Sequence, residues 1–152
     1  MAQLVLDLAD EAATARLAAR IAGLVRARDT IALRGPLGSG KTSFARAFIR
    51  ALGAGTEEVP SPTFTLVETY HFAGRPPIWH FDLYRLAAAE DVYELGIEEA
   101  WSEGIALIEW PERIAALLPP ERLEIALGPG AVSSARRATV DGSAPWHGRL
   151  HD

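Results

Sequence analysis

The sequence has no cysteine, which excludes disulfides and thiolate metal sites without naming a compartment. It has no apolar run near the ~20 residues that span a bilayer. Its first residues, Met1-Ala2-Gln3-Leu4-Val5-Leu6-Asp7, carry neither the basic region nor the long apolar stretch of an export signal. The expected location is therefore the cytoplasm. Lysine is almost absent: of 15 basic residues, Lys41 alone is not an arginine. Where arginine serves for every other positive charge, a single lysine marks a place that needs a compact ammonium. Basic residues are also outnumbered by 20 acidic ones, for a net charge of −5. Proteins that grip nucleic acid through its phosphates are usually basic, so direct binding of this kind is not expected. Neither a repeat nor a linker divides the chain. With 152 residues, 49% of them hydrophobic, it has the size and composition of one globular domain with a real core.

The apolar pattern places the elements. Residues 4–8 read as a short strand. Asp10 is placed to cap a helix whose apolar stripe is Leu17, Ile21, Leu24 and Val25. Residues 30–34 form a buried strand, and a second helix runs from Lys41 to Leu52 with Gly53 as its stop. Residues 54–62 are a loop. Strands are expected over 64–72 and 78–82, joined by a turn at Gly74-Arg75-Pro76-Pro77. Short helices follow over 87–101, then a fully apolar strand over 105–109, a helical turn or two at 114–118, and strands over 123–127 and 136–140. This order predicts a three-layer α/β fold, its sheet largely parallel, with an antiparallel addition at one edge. Residues 1–142 make the domain, and residues 143–152 a tail without order.

Between the second strand and second helix stands Gly35-Pro36-Leu37-Gly38-Ser39-Gly40-Lys41-Thr42, a match to G-x-x-x-x-G-K-[ST]. At this chain's own residue frequencies, a chance match to its four fixed positions is roughly a one-in-a-thousand event. Glycines admit backbone conformations closed to other residues, so successive N–H groups can converge on phosphate oxygens. The following helix aims its positive end at the same point. Lys41 then reaches the β- and γ-phosphates, and the Thr42 hydroxyl ligates Mg²⁺. A nucleoside triphosphate site thus includes Gly35, Leu37, Gly38, Ser39, Gly40, Lys41 and Thr42.

Hydrolysis requires a carboxylate near the metal and a group that orients water, and in open α/β sheets such groups stand at the carboxyl ends of strands. Glu109 closes the strand 105–109 and Asp82 closes 78–82; the pattern does not assign the metal to either. Thr63, in Ser61-Pro62-Thr63-Phe64, either senses the γ-phosphate as a switch loop does or belongs to an ordinary proline-containing turn, and the pattern does not choose between them. His80 reads as a packed strand residue, and Trp110 as core or site wall.

Three other readings compete. A GTPase needs N-K-x-D for guanine, and the one lysine is already in the loop; D-x-x-G is absent as well. A small-molecule kinase needs a lid and acceptor-clamping arginines, with only about forty residues after Glu109 to supply them. A nucleotide-gated docking module with little hydrolysis of its own is the third.

The loop, together with Ser61-Pro62-Thr63-Phe64-Thr65-Leu66-Val67, His80-Phe81-Asp82-Leu83-Tyr84-Arg85-Leu86, Glu94-Leu95-Gly96 and Ile108-Glu109-Trp110-Pro111-Glu112, resembles the bacterial TsaE (formerly YjeE) family. The blocks run in order over residues 10–140. The resemblance implies an ATPase that acts with TsaD and TsaB in forming threonylcarbamoyladenosine at position 37 of ANN-decoding tRNAs, meeting tRNA only indirectly. It also implies that Thr42 and Glu109 ligate Mg²⁺, that Asp82 is needed for hydrolysis of ATP, and that the segment containing Thr63 is a switch.

Overall fold

The computed structural model describes residues 2–53, 62 and 65–151. The strands are β1 (Ala2–Leu8), β2 (Thr30–Arg34), β3 (Val67–Tyr70), β4 (Ile78–Asp82), β5 (Ile105–Glu109), β6 (Leu123–Pro129) and β7 (Arg136–Gly142); the α-helices are α1 (Glu11–Ala22), α2 (Lys41–Leu52), α3 (Ile97–Glu103) and α4 (Ala144–His151). Two 3₁₀ segments, Ala89–Leu95 and Pro111–Leu117, complete the order.

One sheet holds all seven strands in the order β1-β7-β6-β2-β5-β4-β3. Its centre is parallel: β2 pairs with both β5 and β6, and β5 with β4. β3 adds antiparallel to β4 at one edge, as expected. At the other edge β7 and β1 are also antiparallel, a second addition that the linear pattern did not reveal.

The central strands are apolar on both faces because both faces are covered. Along β5, Ile105 and Leu107 enter the core under α1 and α2, while Ala106 and Ile108 pack among α3 and the 3₁₀ segments. This two-residue alternation makes the third layer. Gly96 shows how tightly it packs. Its φ of 88° lies in the left-handed region, and a Cβ there would come within 2.6 Å of the Trp79 ring. α1 is capped as expected, with the Asp10 side chain accepting from the Ala13 N–H at 2.9 Å.

Two expectations are corrected. The strand expected over 64–72 is confined to Val67–Tyr70 among the described residues. The residues from Ser143 are not a loose tail: Ala144–His151 is helix α4, and its Trp146 and Leu150 are buried with the α1–α2 core. A four-residue spacing puts both side chains on one face. Arg149 on the same helix joins Asp29 through a 2.6 Å ion pair. Among the described residues no helix is long and apolar enough to cross a membrane.

Candidate functional site

β2 leads directly into the glycine loop and then α2, so the loop sits at the carboxyl end of the central strand, where open α/β sheets form their ligand crevice. Gly35, Gly38 and Gly40 all have positive φ, at 148°, 78° and 99°. Gly35 is the most constrained, since a Cβ there would come within 2.5 Å of both the Leu127 carbonyl and Ser39 Oγ. The first turn of α2 has no acid of its own, and the helix's positive end faces the loop, with the carboxylates of Glu109 and Glu11 at the Thr42 and Ser43 hydroxyls.

Lys41 lies inside this loop and is only 5% exposed. Its Nζ donates to the Gly35 carbonyl and, at 3.5 Å, to that of Pro36. The ammonium also stands 3.4 Å from the centroid of the Trp110 ring, a cation–π contact. Burial lowers the Lys41 pKa below the usual lysine value, opposed by the negative charges of Glu109, Glu112 and Asp82.

The two acids stand side by side, because β4 and β5 run parallel with Asp82 opposite Glu109. Both are buried, at 5% and 2% exposure. They share the α2 face of the sheet with Ile78, Ile105 and Leu107 by the strand period of two. Glu109 Oε1 accepts the Thr42 hydroxyl at 2.9 Å, and Oε2 lies 2.7 Å from His80 Nε2. Asp82 has different company. Its Oδ1 accepts the Tyr84 N–H at 3.1 Å, and its own N–H donates to the Leu66 carbonyl at 2.9 Å. Leu66 N–H in turn bonds to the Pro62 carbonyl, which ties Asp82 to the segment containing Thr63. Thr63 itself lies outside the described residues.

A cleft of about 340 Å³ opens over these groups. Leu37, Gly38, Ser39, Gly40, Lys41 and Thr42 line it, as do Asp82, Glu109 and Trp110. Trp110 is thus a site wall, held with φ 60° and ψ 50° and 4.8 Å from the Tyr84 ring. His80 is a packed strand residue, fully buried as expected, and it also contacts a site carboxylate.

Arg136, at the start of β7, was not foreseen as part of this loop. Its Nε donates to the Ser39 carbonyl at 3.1 Å and its Nη2 to that of Gly38 at 3.2 Å, while Nη1 binds Ser133 and Ala135 carbonyls in its own hairpin. The residues in contact lie almost a hundred positions apart, so no local pattern could have linked them.

Strand, glycine loop and helix at the centre of a three-layer α/β sheet, with acids on the adjoining parallel strands, define a protein of the P-loop fold. A family model described as "Threonylcarbamoyl adenosine biosynthesis protein TsaE" matches residues 8–138, and the chain belongs to the TsaE family. A tRNA threonylcarbamoyladenosine biosynthesis protein TsaE from Rickettsia conorii is 42% identical over 102 residues, 67% of this chain and 58% of that protein. The protein of the same name from Treponema pallidum is 41% identical over 97 residues, covering 63% of this chain and 70% of its own. The match thus spans about three fifths of the Rickettsia relative's length. The crystal structure of YdiB from Bacillus subtilis is similar with a TM-score of 0.79 at 26% identity, over 99% of this chain and 93% of that one.

Proposed function

We propose that this chain is a slow ATPase that binds Mg-ATP at residues 35–42 and serves, in the cytoplasm, the complex that forms threonylcarbamoyladenosine at position 37 of ANN-decoding tRNAs. The observation that carries the proposal is the convergence of Lys41, Thr42 and the Glu109 carboxylate on one cleft beneath a glycine loop and the N-terminus of α2. Family membership supplies the pathway. TsaD- and TsaB-type proteins are the proposed partners, and the acidic chain reaches tRNA through them.

The donor set fits magnesium: a hydroxyl and a carboxylate already 2.9 Å apart are hard oxygen ligands of the kind this ion takes. Among the described residues no cluster of three His, Cys, Asp or Glu could hold a metal alone. That suits an ion completed by phosphate oxygens and water. Thr42 and Glu109 would hold it, and it would neutralise charge on the phosphates. The chain's own parts do the rest. The loop N–H groups and the α2 terminus receive the phosphates. Lys41 exchanges its carbonyl contacts for phosphate oxygens, an exchange helped by its incomplete solvation. Asp82 orients the attacking water, and its backbone link to residues 62–66 couples that water to the proposed Thr63 switch.

ATP turnover by the full chain, alone and with TsaD- and TsaB-type proteins, tests the proposal. Slow hydrolysis alone and faster hydrolysis with the partners is expected. No turnover under either condition, or transfer of phosphate to a metabolite, would overturn it.

A further inference from the structure

Both oxygens of Glu109 are engaged, and by different elements. Thr42 of α2 holds Oε1, and His80 of β4 holds Oε2. The strand register makes this possible: with Asp82 opposite Glu109, His80 lies opposite Leu107, one pleat behind the acid on the same face. His80 is fully buried, and its Nδ1 has no hydrogen-bond partner among the described residues. A proton on that buried nitrogen would be left unsatisfied, which is costly. A hydrogen on Nε2 alone satisfies the geometry: Nε2–H donates to the carboxylate, and Nδ1 keeps only a lone pair.

We propose that His80 is a positioning residue whose Nε2–H fixes the Glu109 carboxylate so that Oε1 faces Thr42 and the cleft. Without this bond, the buried Oε2 of Glu109 loses the partner that β4 gives it. The same carboxylate thereby specifies one tautomer of a fully buried ring that does not line the cleft. The proposal rests on the reading of Glu109 as the carboxylate of the Mg-nucleotide site, and its test separates the two.

The test uses the full chain and its His80→Phe, His80→Gln and Glu109→Ala variants, each checked for folding by thermal melting. ATP affinity is measured across a magnesium titration, and long-range ¹H–¹⁵N spectra report the histidine tautomers at neutral pH. Glutamine can place an amide N–H where Nε2 stood; phenylalanine keeps the bulk and loses the donor. His80→Phe is expected to raise the magnesium concentration at half effect about tenfold or more, the usual cost of losing a hydrogen bond behind a metal ligand. His80→Gln should recover most of that loss. The ring signal missing from His80→Gln should show hydrogen on Nε2 alone in the unsubstituted chain. If the phenyl ring prevents folding, His80→Asn replaces it, since its shorter amide does not reach Glu109. If Glu109→Ala disturbs the magnesium dependence and a folded donorless variant does not, the positioning role is wrong and the reading of Glu109 survives. Hydrogen on Nδ1 would also overturn the positioning role. If Glu109→Ala leaves magnesium dependence unchanged, the reading of Glu109 falls and the proposal with it.

Discussion

At the scale of single residues, Glu109 and Asp82 share a register position and a face, but their contacts differ. Glu109 meets the Thr42 hydroxyl and His80; Asp82 meets backbone N–H of Tyr84 and, through its own N–H, the Leu66 carbonyl. The first set suits holding a cation beside the loop, and the second suits responding to the segment before β3. Glu109→Ala should therefore lose magnesium-dependent nucleotide binding. Asp82→Asn should bind normally and lose about 10²-fold or more in single-turnover hydrolysis, the scale of removing an acid–base or water-orienting group. The opposite pattern would swap the two roles. Lys41 invites a second test. Its ammonium fits between the Gly35 carbonyl and the Trp110 ring, a space for a point charge and not for a planar fork. Lys41→Arg should weaken Mg-ATP binding by about tenfold or more, equivalent to ~1.4 kcal/mol. Unchanged affinity and turnover would contradict that fit.

At the scale of elements, the glycine loop is shaped from outside as well as by its own glycines. Arg136 reaches from β7 to the Gly38 and Ser39 carbonyls and so restrains the peptide planes whose N–H groups are to meet phosphate. Arg136→Ala should leave saturated turnover nearly unchanged and weaken nucleotide affinity roughly tenfold through lost pre-organisation. Amide exchange at residues 38–40 should quicken. If affinity and exchange both hold, the contact is incidental. α4 is a second element with consequences beyond its length. Trp146 is 1% exposed in the main core, and Trp146→Ala should cost about 3–5 kcal/mol in urea unfolding, the usual range for a buried aromatic. A loss below ~1 kcal/mol would mean that α4 packs only loosely. These elements mark the limit of what could be read in advance. The loop, Lys41, Thr42 and both strand-end acids carry local signals: fixed spacing, or an apolar run ended by a charge. Arg136 has no such signal, because its partners come from the other end of the chain. α4 was hidden by Pro145 and Gly148 within an eight-residue helix, where the only apolar stripe is Trp146 and Leu150.

At the scale of the whole molecule, the parallel centre was legible from buried strands alternating with helices, whereas the order β1-β7-β6-β2-β5-β4-β3 was not. Strand order depends on long-range pairing that leaves no period in the sequence. It nevertheless sets the site, because β2 lies beside β5 and β5 beside β4, which brings loop and acids to one end of the sheet. The net charge of −5 is the ground for proposing that the chain reaches tRNA through partner proteins. Everything then depends on the cleft holding ATP with magnesium. Isothermal titration of ATP into the full chain, with magnesium and again with excess chelator, measures this directly. Binding should be saturable and clearly tighter with magnesium. An affinity unaffected by chelation, or no binding at millimolar ATP, would contradict it.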